Sequence, residues 1–416
     1  MTQVLLVTGC FPPSTAYGGP AESAFRLARG LAAAGAEVRV ITTNANGPRT
    51  LAVTTGSWID VGGVRTLYCQ RLGQTTAAPA IRGAVKRALA RHTVLHLSGF
   101  YDPHVLGALS ACRRLGNAAV ISPRGVLLPA ARRRHHVRKV VFEHMLNWAS
   151  KGMTVALHAT SAPELASALR VLGPRSAAII PNGVDVLEAP PPRGDGSDSS
   201  RWVFLGRLHP HKAVEALLEA FSLAIRGEMP AAAAAHGNAA GPLRPLVGGG
   251  AAQWPSGASL VVAGEGDEKY AQVLSRLARG LGLGERVRFV GSVSGPQKTA
   301  LLASAAGLVL CSRSENFGMV VAEALAHGTP CVVTKTAPWE GLEREGCGFW
   351  VDDSVEALAD GMRRLMALSP EERRAMGERG RAWMQRDFSW ESVAKRMIEL
   401  YETVIEENER KKRDRR

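Results

Sequence analysis

The sequence predicts an α/β fold made of two doubly wound, Rossmann-like parallel-sheet domains. Short β-branched runs alternate with amphipathic helical stretches almost throughout, which is the pattern of βαβ units. At 416 residues the chain is too long for one ordinary core and comfortable as two domains of roughly 200 residues each. A polar stretch rich in Pro, Gly and Ser, Glu188 to Ser200, separates two series of strand candidates and has the composition of a linker.

In the first series the expected strands are Val4 to Thr8, Val38 to Thr42, Val64 to Cys69, Val94 to Leu97, Ala119 to Ser122, Thr154 to Ala159 and Ala177 to Ile180. Between the first two lies a helix whose apolar face runs Ala24, Leu27, Ala28, Leu31, with Gly35 placed as its C-terminal stop. The second series is Trp202 to Leu205, Ser259 to Ala263, Val287 to Val290, Gly307 to Leu310, Cys331 to Thr334 and Gly348 to Val351. Gly227 to Gly257, with five consecutive alanines at Ala231 to Ala235, reads as an insertion with no part in the chemistry. From Phe388 to Arg410 the pattern is helical, with Val393, Met397, Leu400, Tyr401 and Ile405 on one face. The expected domains are 1–187 and 188–388, with 389–416 as a closing helical segment.

Composition narrows the classes. Apolar residues make up 46% and charged residues 21%, so a core can form and global disorder is excluded. Met1 to Cys10 lacks a basic leader and runs straight into Phe11-Pro12-Pro13, so it reads as a buried strand rather than a signal peptide. No stretch approaches the roughly 20 apolar residues that span a bilayer, and a cytoplasmic location is expected. Six cysteines without a CxxC pair indicate neither a zinc site nor a disulfide framework. The net charge of +14 points to an anionic partner: nucleotide phosphates, a pyrophosphate-linked lipid, an acidic membrane face or nucleic acid.

Three segments carry candidate chemistry. Ser314-Glu315-Asn316-Phe317-Gly318-Met319-Val320-Val321-Ala322-Glu323-Ala324 follows a buried strand. A strand-to-helix turn there presents unpaired N–H groups and the positive end of a helix, a place for phosphate. Glu315 in the turn and Glu323 in the helix can face one ligand and accept from sugar hydroxyls. They read equally as an ordinary first-turn charge and a solvated helix position. In Phe204-Leu205-Gly206-Arg207-Leu208-His209-Pro210-His211-Lys212 the strand ends, Gly206 permits a close turn, and two fixed cations follow five residues apart. Arg207 and Lys212 suit a leaving diphosphate, although an isolated pair at this spacing is usually a pair of surface cations. The loop from Phe11 to Glu22 holds Gly18 and Gly19, which permit close backbone approach to phosphate or sugar, or mark a simple turn.

Glu-x7-Glu, set in Ser-Glu-Asn-Phe-Gly-Met-Val-Val-Ala-Glu-Ala-Leu-Ala-His-Gly-Thr-Pro, resembles the hallmark of glycosyltransferase family 4, also grouped as glycosyltransferase group 1. The resemblance covers nearly the whole chain apart from the linker and the insertion. It implies a GT-B fold, two Rossmann-like domains facing a cleft, with the nucleotide in the C-terminal domain, the acceptor in the N-terminal one and the final helix crossing back to the latter. It also implies transfer with retention, without metal or other cofactor, from a UDP- or GDP-sugar to a saccharide or lipid-linked saccharide in polysaccharide, lipopolysaccharide or glycolipid synthesis. By this resemblance Arg207, Lys212 and the helix start near Gly318, Met319 and Val320 stabilise the diphosphate, with Asn316 and Phe317 binding the donor in the same turn and Gly206 in the same phosphate element. Glu315 orients the donor sugar and Glu323 the ribose; Ser292 and Val293 meet the base, and Gly18 and Gly19 lie opposite the donor. His96 and Arg124 fall near the acceptor, Arg124 standing where many relatives have His; as a lone histidine at a strand end, His96 reads equally as a satisfied core residue.

Other signals point less sharply. Gly264-Glu265-Gly266 lacks the third glycine of a dinucleotide fingerprint, since Lys269 stands there. No Asp-x-Asp follows a strand, and His209 and His211 lack a third ligand. Arg132, Arg133, Arg134, His135, His136, Arg138 and Lys139 lead into an apolar helix, which suits either peripheral contact with anionic lipid at the inner face of a membrane or a solvated face over a buried stripe. A non-catalytic sugar-nucleotide binder and a basic nucleic-acid-binding protein are the rival classes. The second lacks an aromatic-interleaved basic platform, so no nucleic-acid partner is expected.

Overall fold

The computed structural model describes residues 1–133, 135–187, 200–226 and 257–414. The expected linker and the alanine-rich insertion lie almost wholly outside the described residues. The chain divides into two compact units, Met1–Val184 with Arg386–Arg416, and Asp185–Gln385.

The first unit is built on β1 (Gln3–Thr8), β2 (Glu37–Thr43), β3 (Ala45–Asn46), β4 (Arg49–Thr50), β5 (Trp58–Val61), β6 (Val64–Cys69), β7 (Val94–Ser98), β8 (Ala119–Ser122), β9 (Val155–Ala159) and β10 (Ala177–Ile179). Eight of these form one sheet in the order β10-β9-β8-β7-β1-β2-β6-β5. Its inner strands β1, β7, β8 and β9 are buried on both faces and therefore read as continuous apolar runs. Along β1, Leu5 and Val7 enter the core under the helices Ala80–Ala88 and Pro103–Leu115, while Val4 and Leu6 enter the core under Gly19–Ala33. The helix Trp390–Arg413 completes that second layer with Val393, Met397, Tyr401 and Val404, all nearly or fully buried. Each such side chain contributes about 1.5–3 kcal/mol of transfer free energy.

The sheet is not wholly parallel. Trp58–Val61 pairs antiparallel with Val64–Cys69 through the two-residue turn Gly62-Gly63, both at positive φ, and adds an edge strand that the helix-rich pattern did not suggest. The short hairpin of β3 and β4 was likewise unread.

The second unit is a six-stranded, all-parallel sheet of β11 (Arg201–Leu205), β12 (Ser259–Ala263), β13 (Val287–Gly291), β14 (Gly307–Leu310), β15 (Cys331–Thr334) and β16 (Gly348–Val351), ordered β13-β12-β11-β14-β15-β16. Trp202, Phe204, Leu260 and Val262 pack one face under the helices Val214–Arg226 and Val355–Met366. All six cysteines are free and buried, and burial drives the Cys112 thiol up to about 12, so it behaves as a small apolar group.

Candidate functional site

The strand order of the second unit locates its crevice. From β11 the chain winds out through β12 and β13 on one side, then returns to build β14, β15 and β16 on the other. The carboxyl ends of β11 and β14 flank the point where winding reverses, which is where open α/β sheets bind ligands. Gly206–Ala213 leaves the first of these strands and Cys311–Gly318 the second. Both loops belong to the predicted site.

Backbone and side-chain bonds stitch the two loops together. Arg313 N donates to His211 O at 2.8 Å, and the Cys311 thiol to Lys212 O at 3.3 Å. Lys212 closes a 3-10 turn, Pro210–Lys212, and its ammonium meets Glu315 Oε2 at 2.5 Å. Ser312 Oγ donates to the same oxygen at 3.3 Å. The side chains of Lys212 and Glu315 are 28% and 17% exposed, so the pair is partly shielded yet open to a ligand. His209 and His211 are exposed and stack at 5.3 Å, with His209 Nδ1 accepting from His211 N. They are turn residues.

Gly318 ends the second loop at φ 79° and stands at the N-cap of the helix Met319–Ala326. A side chain there would sit 2.8 Å from Leu310 Cδ2 and 3.3 Å from Glu315 Cγ. With no side-chain cap, the first N–H groups of Met319 and Val320 are left for an anion. Trp339 braces the turn, its ring 5.2 Å from that of Phe317 and its Nε1 donating to Phe317 O. Asn316, partly buried, lies in the same turn.

Arg207 is exposed on the first loop, beside Gly206. The segment Gly264-Glu265-Gly266, which failed as a dinucleotide fingerprint, packs directly under it. Gly206 N donates to Ala263 O at 3.0 Å, Leu208 N to Glu265 O at 2.8 Å, and Gly264 N to Gly291 O at 2.6 Å. These glycines are spacers that let three strand ends lie side by side.

Glu323 is the fifth residue of its helix, and its Oε1 accepts from Lys298 Nζ at 2.6 Å. Lys298 belongs to the helix Gly295–Ala303, which begins just after the loop holding the exposed Ser292 and half-buried Val293. Sequence reasoning missed Lys298, because no spacing rule pairs residues 25 apart on two helices.

In the first unit the winding reverses between β1 and β7. Gly18, at φ 54°, and Gly19 start the helix Gly19–Ala33 and are both exposed. Their loop is gathered by Asn46, whose Oδ1 accepts from Ser14 Oγ, Thr15 N and Ala16 N. That organiser was also missed. So was Asp102, which stands at the N-cap of Pro103–Leu115 yet accepts instead from Thr76 Oγ1 at 2.6 Å, beside the buried His104.

Of the two readings of His96, the structure shows the core one. The strand runs on to Ser98, which leaves His96 in mid-strand, fully buried and facing the helix Trp390–Arg413. Its bonds define a single chain of donors. His158 Nε2 lies 2.9 Å from Ile180 O and must donate, so His158 Nδ1 accepts from Ser122 Oγ at 2.6 Å. Ser122 then accepts from His96 Nε2 at 2.7 Å, and His96 Nδ1 accepts from Tyr401 Oη at 2.7 Å. Arg124, at φ 57°, is held beside this chain by Asn182 Oδ1 at 2.7 Å and Ser98 Oγ at 3.3 Å, with Nη2 buried and unbonded. It is built into the strand ends.

Burial drives His158 down to about 3, helped by the Arg124 charge, and holds His96 well below the ordinary range. An unfolded histidine titrates near 6.5. As pH falls below that value the unfolded chain binds protons that the folded one refuses, so stability is full above about 6.5 and is lost toward about 3. The expected slope is about 1.4 kcal/mol per pH unit for each histidine. Calorimetry between pH 7 and 4 should show a flatter decline for His158→Gln than for wild type; parallel declines would refute this source.

The model for glycosyl transferases group 1 matches residues 254–383, and that for glycosyltransferase family 4 matches residues 17–187, between them more than two thirds of the chain. The chain belongs to these glycosyltransferases. A D-inositol 3-phosphate glycosyltransferase of Corynebacterium urealyticum is 31% identical over 48% of this chain and 42% of its own length. A phosphatidyl-myo-inositol mannosyltransferase of Mycobacterium leprae is 30% identical over 54% of this chain and 53% of its own. The chain spans about 40% of the length of the inositol phosphate glycosyltransferases it matches. The structure of Anabaena HepE in complex with UDP and glucose superposes with a TM-score of 0.66 at 15% identity, covering 97% of this glycosyltransferase and 100% of that chain. The fold of this glycosyltransferase is GT-B.

Proposed function

We propose that the protein transfers a sugar from a UDP- or GDP-linked donor to a saccharide or lipid-linked saccharide acceptor, with retention and without a metal ion. The observation that carries this reading is the Lys212–Glu315 pair at the reversal point of the second sheet, next to the uncapped helix start at Gly318. A cation and unpaired N–H groups suit a diphosphate, while the neighbouring carboxylate suits hydroxyls of the sugar attached to it.

In this reading Lys212, Arg207 and the N–H groups of Met319 and Val320 take up the negative charge that grows on the departing diphosphate. The acceptor hydroxyl attacks the anomeric carbon from the same face and passes its proton to the leaving oxygen, so no side chain serves as base. Glu315 keeps one carboxylate oxygen for the sugar while Lys212 and Ser312 engage the other. Glu323, steered by Lys298, holds the ribose. The first unit takes the acceptor. The name of the mannosyltransferase relative suggests an acceptor of lipid character. This reading extends to cell-surface polysaccharide or glycolipid synthesis and to peripheral work at the inner face of a membrane.

A thermal-shift screen with UDP-glucose, UDP-galactose and GDP-mannose tests the donor half. A ligand at 100 times its dissociation constant stabilises by about 2.7 kcal/mol, roughly 5–10 °C for a unit of this size. No shift with any sugar nucleotide at millimolar concentration would remove the proposal.

A further inference from the structure

The helix His136–Ala149 turns an apolar stripe to solvent. Val137, Val141, Met145 and Trp148 are 75, 54, 51 and 72% exposed. At about 100° per residue they fall within an arc of about 80°. Glu143 and Leu146, on the other side of the helix, face the core. Scattered exposed apolar residues are ordinary on any surface, but four aligned on one helix form a patch that water does not favour.

The surroundings of the stripe are strongly cationic. From Pro103 to Lys151 the sequence has nine Lys or Arg and a single carboxylate, Glu143. That carboxylate is buried, accepting from Arg132 Nε at 2.9 Å, Arg132 Nη2 at 2.7 Å and Tyr101 Oη at 2.5 Å. The helix therefore shows no negative charge to solvent. Arg133 and Arg138 are exposed at its start, and the Arg113 guanidinium lies 5.7 Å from the Trp148 ring at its end.

We propose that this face docks on an anionic lipid bilayer, the stripe entering the boundary between headgroups and acyl chains while the arginines meet lipid phosphates. An apolar stripe ending in Trp and bordered by cations is complementary to that boundary, where apolar contact and negative charge occur at one depth. A protein partner of neutral or basic surface would cover the stripe but leave the cations opposed. The inference makes the membrane part of the proposed function specific and does not depend on sugar transfer.

Sedimentation with vesicles of phosphatidylcholine and phosphatidylglycerol at low salt is the test. Wild type should partition at least about tenfold more strongly than onto pure phosphatidylcholine, and high salt should release it. Val141→Asp with Trp148→Asp should lose at least about tenfold in partitioning, because charges are costly at this depth. Arg133→Glu with Arg138→Glu should lose as much on the anionic vesicles alone. Each variant is checked for an unchanged thermal midpoint and an unchanged shift with the sugar nucleotide that wild type binds, so loss of the surface is distinguishable from loss of the donor site. No partitioning of wild type, or partitioning that the stripe variant retains, would overturn the proposal. Self-association of wild type in lipid-free buffer that the stripe variant abolishes would assign the face to a second copy, and would overturn it too.

Discussion

Lys212→Ala should lower the release of nucleoside diphosphate from the donor by at least about 100-fold, close to 3 kcal/mol of transition-state stabilisation. The charge on the diphosphate grows as the glycosidic bond breaks, so kcat should fall more than KM rises. Glu315→Gln should lose activity as well, because a neutral amide orients hydroxyls less strongly than a carboxylate does. The two ends of the pair lie 2.5 Å apart, so the double variant should lose less than the product of the single losses. Single-turnover assays on proteins with matched thermal midpoints separate this from unfolding. A Lys212→Ala enzyme working within tenfold of wild type would withdraw the lysine from the chemistry.

Gly264→Ala should destabilise the second unit by about 3 kcal/mol or more and abolish sugar-nucleotide binding. The residue has φ 148°, where an L side chain is strained, and a Cβ built on it lies 1.9 Å from Gly206 O. The obstacle is backbone, so no rotamer change relieves it. Relief requires the strand ends to part, which moves the loop that supplies Arg207 and Lys212. Gly280→Ala is the control, since that helical glycine has open space around its missing Cβ. Denaturant unfolding of both variants, alongside the thermal-shift assay, reads the two effects. A Gly264→Ala protein with wild-type stability and nucleotide affinity would contradict the spacer role.

The inner parallel strands were legible because they are buried on both faces, so their apolar runs stand out from the amphipathic helices around them. Val64–Cys69, Ala119–Ser122 and Cys331–Thr334 have the limits their composition suggests. Trp58–Val61 escaped notice because an edge strand is only half covered, and its Asp60 faces solvent. In the candidate site, Glu315 and Lys212 were legible because each follows a strand end within its own loop. Lys298, Asn46 and Asp102 were not, since their partners are supplied by the folded arrangement of separate segments. His96 stayed open between two readings for a related reason. A polar residue near a strand end looks like a surface group until the helix Trp390–Arg413, some 300 residues later in the chain, brings Tyr401 against it.

That late helix also sets an order of events during synthesis. Val393, Met397, Tyr401 and Val404 finish a core begun by Val4 and Leu6, so the part of that sheet face which Gly19–Ala33 does not cover stays open while the ribosome completes everything between. The later unit carries no such debt and has all its strands in hand by residue 351. The region emerging first is therefore the last to reach its native state, and nascent chains stalled before residue 390 should bind chaperones through that open face.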